Sequence, residues 1–105
     1  WTLVEIDGQP VPTDVDPPLI HVEGNRIRGF AGCNRFTASV AETKPGEIEI
    51  GAAAAEQKAC PAPQMDLEQK FLAQLDAANR YSYVAGQLAL TWTDGERTGT
   101  LLFRK

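Results

Sequence analysis

The chain has 105 residues, 43% hydrophobic and 23% charged, values of an ordinary soluble globular domain that exclude intrinsic disorder. Its net charge is −4 and its pI about 4.9, with ten lysines and arginines scattered along the sequence. No basic stripe exists for phosphate binding, so no nucleic-acid partner is expected. No run approaches the roughly 20 apolar residues of a membrane span, and none reads as a signal peptide. Trp1, with no methionine before it, reads as the start of a processed or trimmed chain.

Trp1 to Ile6 nearly alternates large apolar and polar residues and stops at the turn pair Asp7-Gly8, which predicts a strand. Pro10 to Pro18 holds four prolines, which remove amide donors and fix φ; an ordered irregular loop is expected. Leu19–Glu23 and Arg26–Phe30 flank Gly24-Asn25, the signature of a tight hairpin. Ala31 to Arg35 is small and glycine-rich and predicts a turn or bulge, after which Phe36–Ala41 resumes a strand. Lys44-Pro45-Gly46-Glu47 has type II turn order, and Glu47–Ile50 alternates with its glutamates outward. The alanine run 52–55 reads as extended or irregular.

One helix is predicted between Pro63 and Ala78, where Leu67, Phe71, Leu75 and Ala78 recur on one stripe. Asp66 and Glu68 are expected to complement the dipole in its early turns, and Gln69, Lys70, Gln74 and Asp76 to lie opposite the stripe. Three strands follow: Tyr81–Val84, Gln87–Thr93 and, beyond the hairpin pair Asp94-Gly95, Thr98–Arg104. The reading is a single α+β domain over residues 1–105. About eight short strands form a curled, partly barrel-like antiparallel sheet with one main α-helix packed on it.

Candidate chemistry is sparse. Cys33 and Cys60 read either as two buried thiols or, preferably, as a structural disulfide. A thiol nucleophile would need His21 as base and Asn34 as its orienter, and their order matches no thiol hydrolase. Asp14, Asp16 and Glu23 lack the rest of a calcium loop and read as a solvated acidic loop. Zinc spacing, a phosphate-cradling loop and a nucleophile elbow are lacking in the sequence, so no catalytic residue, metal or cofactor is assigned. Trp1, Tyr81, Tyr83 and Trp92 are expected to fill the core and its rim rather than form a binding face.

One set of residues resembles a known family. Trp1-x-Leu3, Gly29-Phe30-Ala31-Gly32-Cys33-Asn34-Arg35-Phe36, Ala59-Cys60-Pro61, Glu68-x-x-Phe71-Leu72-x-x-Leu75 and Leu88-x-Leu90 resemble the META domain of HslJ-type heat-shock lipoproteins. Relatives often carry threonine, a basic residue and methionine before the second cysteine; here Glu56-Gln57-Lys58-Ala59 precedes Cys60. The resemblance implies a bacterial envelope or secreted module, extracytoplasmic and often lipid-anchored, without established catalytic residues. The expected function is therefore non-enzymatic: a monomeric, stress-related module that binds a protein partner. Two alternatives are a protease-inhibitor-like protein presenting Pro10 to Pro18 and a small-ligand carrier with an internal cavity.

Overall fold

Alternation sends every second side chain of a strand to one face, so a strand with one apolar face must find a sheet that buries it. In the computed structural model, which describes residues 1–105, the chain meets this need with ten strands and one helix. The strands are β1 (Thr2–Ile6), β2 (Gln9–Pro10), β3 (Leu19–Glu23), β4 (Arg26–Phe30), β5 (Arg35–Lys44) and β6 (Glu47–Ile50). They continue with β7 (Ala54–Ala55), then α1 (Ala62–Ala77), β8 (Arg80–Val84), β9 (Gln87–Asp94) and β10 (Arg97–Arg104). The eight expected strands are all present. Two short ones join them: β2 beside β1, and β7, from the alanine run, beside Phe36 and Thr37.

The sheet order is β10-β9-β8-β6-β5-β4-β3-β1-β2, every pairing antiparallel, and β1 also pairs with β10. That last pairing curls the sheet into a partial ring. The ring has two thin seams, where β1 meets β3 at Thr2–Leu19 and β6 meets β8 at Glu47–Arg80. Elsewhere the ladders are long; β9 and β10 stay in register from Asp94–Arg97 to Leu88–Phe103.

Helix α1 fills one end of this ring. It packs on β10, β9 and β6, with Leu67, Phe71 and Leu75 buried. Phe71 sits edge-to-face between Phe36 of β5 and Phe103 of β10, with centroids 5.9 and 6.2 Å apart. Such pairs contribute beyond their burial.

The helix is pinned to the β4–β5 bend by a covalent bond and a buried carboxylate. Cys33 and Cys60 form a disulfide with Cα atoms 6.0 Å apart. Glu68, expected to complement the helix dipole, is 5% exposed and serves the bend instead. Its Oε1 accepts the backbone N–H groups of Cys33 (3.1 Å) and Asn34 (2.6 Å), and its Oε2 accepts Asn34 Nδ2 (2.8 Å). Asn34 Oδ1 in turn accepts the Lys58 N–H at 2.7 Å, and its Nδ2 reaches the Lys58 carbonyl at 3.3 Å. One asparagine therefore ties together the bend, the segment before Cys60 and the helix.

The Gly29–Phe36 motif is largely the cost of this close approach. Gly32 has φ +127°, and a Cβ there would lie 3.2 Å from the Gln64 carbonyl oxygen and 3.3 Å from the Glu68 nitrogen of the helix. A Cβ at Gly29 would collide with the Leu19 carbonyl and the Phe36 ring. Ala31 is fully buried, Phe30 pairs with Arg35 across the β4–β5 ladder, and Arg35 holds Glu56 beside β7. A second polar joint lies on the other flank of the helix. Gln74, expected on its outer side, donates to Asp7 Oδ2 (2.7 Å) and accepts Trp92 Nε1 (3.3 Å), while Asp7 Oδ1 takes the Thr100 N–H at 2.8 Å.

Reducing the disulfide, which spans 27 residues, is expected to lower unfolding free energy by about 3.5 kcal/mol on the chain-entropy treatment. Urea melts with and without reductant measure this. Glu68→Ala leaves three buried donors without an acceptor and is expected to cost about 3 kcal/mol, with Glu68→Gln clearly milder because its amide oxygen still accepts. Equal melts for the two variants would show that the carboxylate is not the pin.

Candidate functional site

Strand direction decides what lies at each end of the ring. The bend between β4 and β5 lies where β4 finishes and β5 begins; β7 runs back along β5 to Phe36 at that end, and the Cys33–Cys60 disulfide fastens the approach to α1 to the bend. The helix therefore closes that end. At the opposite end lie the turns of the β3–β4, β5–β6 and β8–β9 hairpins, because each hairpin enters antiparallel to the last strand of the one before. Trp1 and Lys105 also lie there, since β1 starts and β10 finishes at that end.

This second end is an open apolar mouth of about 250 Å³. Alternation supplies its lining. The inward residues of β3 (Ile20, Val22), β4 (Ile27), β5 (Val40, Glu42) and β6 (Ile48, Ile50) face those of β8 (Tyr81, Tyr83) and β9 (Leu88, Leu90). The floor is buried core, with Ile20, Ile27, Ile50, Leu88 and Leu90 all under 8% exposed. The rim is not: Val22 is 47% and Tyr83 65% exposed. An apolar floor rising to exposed aromatic and aliphatic rim residues is the surface character of a binding site.

The aromatic residues divide between the two ends. Tyr83 stacks tilted on Trp1 at 5.9 Å and edge-on to Tyr81 at 6.0 Å, so these three form one wall of the mouth. Trp92 belongs to the helix joint, with the Arg97 guanidinium 5.9 Å from its ring. The Lys105 ammonium lies 5.6 Å from the Trp1 ring. Glu42 is the charged residue of the lining, and its Oε2 accepts the Tyr81 hydroxyl and the Gly46 N–H (3.4 Å).

The remaining candidate residues do not converge. Cys33 is bonded to Cys60 and offers no thiol, so His21, exposed on β3, has no nucleophile to serve. Asp14, Asp16 and Glu23 are exposed, and Glu23 pairs with Arg28 at 2.7 Å; no group of three or more metal-ligating side chains is gathered. The proline segment is fastened down by fully buried Pro18 and by Val11 and Val15 packed on the core, leaving Pro12, Thr13, Asp14 and Asp16 exposed. Gly29, Gly32, Asn34 and Phe36 all serve the helix joint or the core at the closed end.

Donation to the Glu42 carboxylate, together with desolvation and the Glu42 charge, raises the Tyr81 phenol above its ordinary ionisation range. The neutral phenol is thus favoured by folding. Its contribution is fully present below the unfolded tyrosine value of about 10 and is lost as pH rises through the folded value. Alkaline ultraviolet titration is expected to show one tyrosine ionising above the ordinary range, and Glu42→Gln to bring it down. An unchanged profile in that variant would refute the assignment.

The sequence profile of the META domain matches residues 1–105. An NMR structure of a protein from Burkholderia xenovorans superposes with a TM-score of 0.77 at 22% identity, covering 100% of this chain and 80% of that one, and shares its fold. A search of curated proteins returned no match. With the profile running from the first strand to the last, the chain belongs to the META domain family.

Proposed function

We propose that this META domain is a non-enzymatic, extracytoplasmic binding module that holds a partner protein by an apolar anchor seated in the mouth of the ring. The observation that carries the reading is the mouth itself, with a buried aliphatic floor and a rim of exposed Tyr83 and Val22 beside half-buried Trp1. Tyrosine and tryptophan are enriched where proteins bind proteins, because they offer large contact area at small entropic cost. At about 250 Å³ the space falls just below the range of small-molecule pockets, roughly 300–1,000 Å³, and suits one or two side chains. The Cys33–Cys60 disulfide supports an oxidising compartment, where such bonds persist. No helix is long and apolar enough to cross a membrane. The polar groups at the closed end are spent on structure, which supports a binding role over a catalytic one.

A small-ligand carrier is the second reading, favoured by the same enclosed floor. Photo-crosslinking in the native envelope separates the two. A crosslinker at Val22 is expected to capture one defined protein, and one at Gln69 on the exposed helix face is not. Val22→Asp is expected to abolish capture by a crosslinker placed at Tyr83, with the far-ultraviolet CD spectrum and cooperative melt of the domain retained. Equal capture from both sites would overturn the reading. Saturable thermal stabilisation by a lipophilic compound, with no protein captured, would favour the carrier.

A further inference from the structure

We propose that the anchor taken by the mouth is a lysine side chain of the partner protein, its stem against the apolar lining and its ammonium at Glu42; this rests on the protein-binding reading above. Glu42 is the charged side chain among otherwise apolar and aromatic neighbours. Three other ring carboxylates have internal cations, Glu23 with Arg28, Glu47 with Arg80, and Glu56 with Arg35 and Lys58, while the unpaired Glu5, Glu49 and Asp94 lie outside the mouth lining. Glu42 has no cation within 4.0 Å; only Tyr81 and the Gly46 amide reach it, both on Oε2. Its Oε1 is left as an acceptor at the edge of an apolar wall.

Charge and shape both select lysine. A carboxylate beside the linked rings of Trp1, Tyr83 and Tyr81 combines ion pairing with cation–π attraction. Lys105 already rests 5.6 Å from the Trp1 ring, so the rim holds an ammonium of the chain itself. One available oxygen suits the point charge of an ammonium. An arginine fork needs both carboxylate oxygens, and Tyr81 and Gly46 occupy the second. The four-carbon stem of lysine lies along apolar surface while its head stays near water, which matches a buried floor with a charged rim. The domain's net charge of −4 adds long-range attraction for a basic partner.

The test uses the whole chain and the five-residue blocked peptide Gly-Gly-Lys-Gly-Gly, with norleucine or arginine replacing lysine in controls. Titration is followed by the NMR shifts of the Trp1 indole, Val22 and Tyr83. The lysine peptide is expected to bind at least tenfold more tightly than the norleucine and arginine peptides. Glu42→Gln is expected to remove that advantage and leave norleucine binding unchanged. Equal binding of lysine and norleucine at the mouth would overturn the lysine assignment while sustaining an apolar anchor. Mouth shifts with none of the peptides, together with no Val22 crosslink, would overturn both. Tyr81→Phe, which keeps the ring and frees Oε2, is expected to narrow the gap between lysine and arginine; if the gap stays, the single-oxygen account fails.

Discussion

The buried carboxylate of Glu68 is the constraint on which the rest of the architecture leans. Burying a charge without a cation costs several kcal/mol unless hydrogen bonds to its oxygens compensate. Here the compensation is three N–H donors from two consecutive residues, Cys33 and Asn34. Those donors reach the helix only because the bend carries Gly32, whose backbone lies against the helix with no side chain between. The disulfide beside it holds the same segments covalently. With the helix fixed there, Phe71 can occupy the space between Phe36 and Phe103, and the strands curl around that aromatic stack.

Much of this was written in the residues. Period-two alternation and the turn pairs Gly24-Asn25, Pro45-Gly46 and Asp94-Gly95 marked the eight long strands, because local backbone preference and burial agree there. The helix came within one residue at each end, since Leu67, Phe71 and Leu75 form a stripe and prolines fence its start. Glu68 reads in the sequence only as a charge suited to the helix dipole, although the same spacing holds the clue to its burial. It stands three residues before Phe71 and seven before Leu75, hence on the buried stripe.

The mouth was not legible. Its wall residues alternate visibly within each strand, but their convergence depends on β1 meeting β10 across nearly the whole chain. Sequence spacing carries no trace of that closure. Tyr81 and Tyr83 read as rim or core, and both descriptions are satisfied; only the ring shows that they share a wall with Trp1. The Gly-Cys-Asn-Arg-Phe motif, by contrast, marked the closed end. The most recognisable residues of the family build the scaffold, and the open surface lies among less conspicuous ones.

The two thin seams, Thr2–Leu19 and Glu47–Arg80, give the molecule an uneven mechanical character. Crosslinked and hydrogen-bonded through buried groups, the helix end opens only at a cost near that of global unfolding. Each seam is held by few main-chain bonds, so the rim of the β3–β6 block, continuous through the β4–β5 ladder, can move against the rim of the β8–β10 block. Binding there draws on a local, inexpensive motion, and a ligand that bridges the seams would in turn stiffen the ring. The domain is in effect a clasp with a riveted base and hinged lips, in which the stability of the fold and the compliance of the site are located in different places.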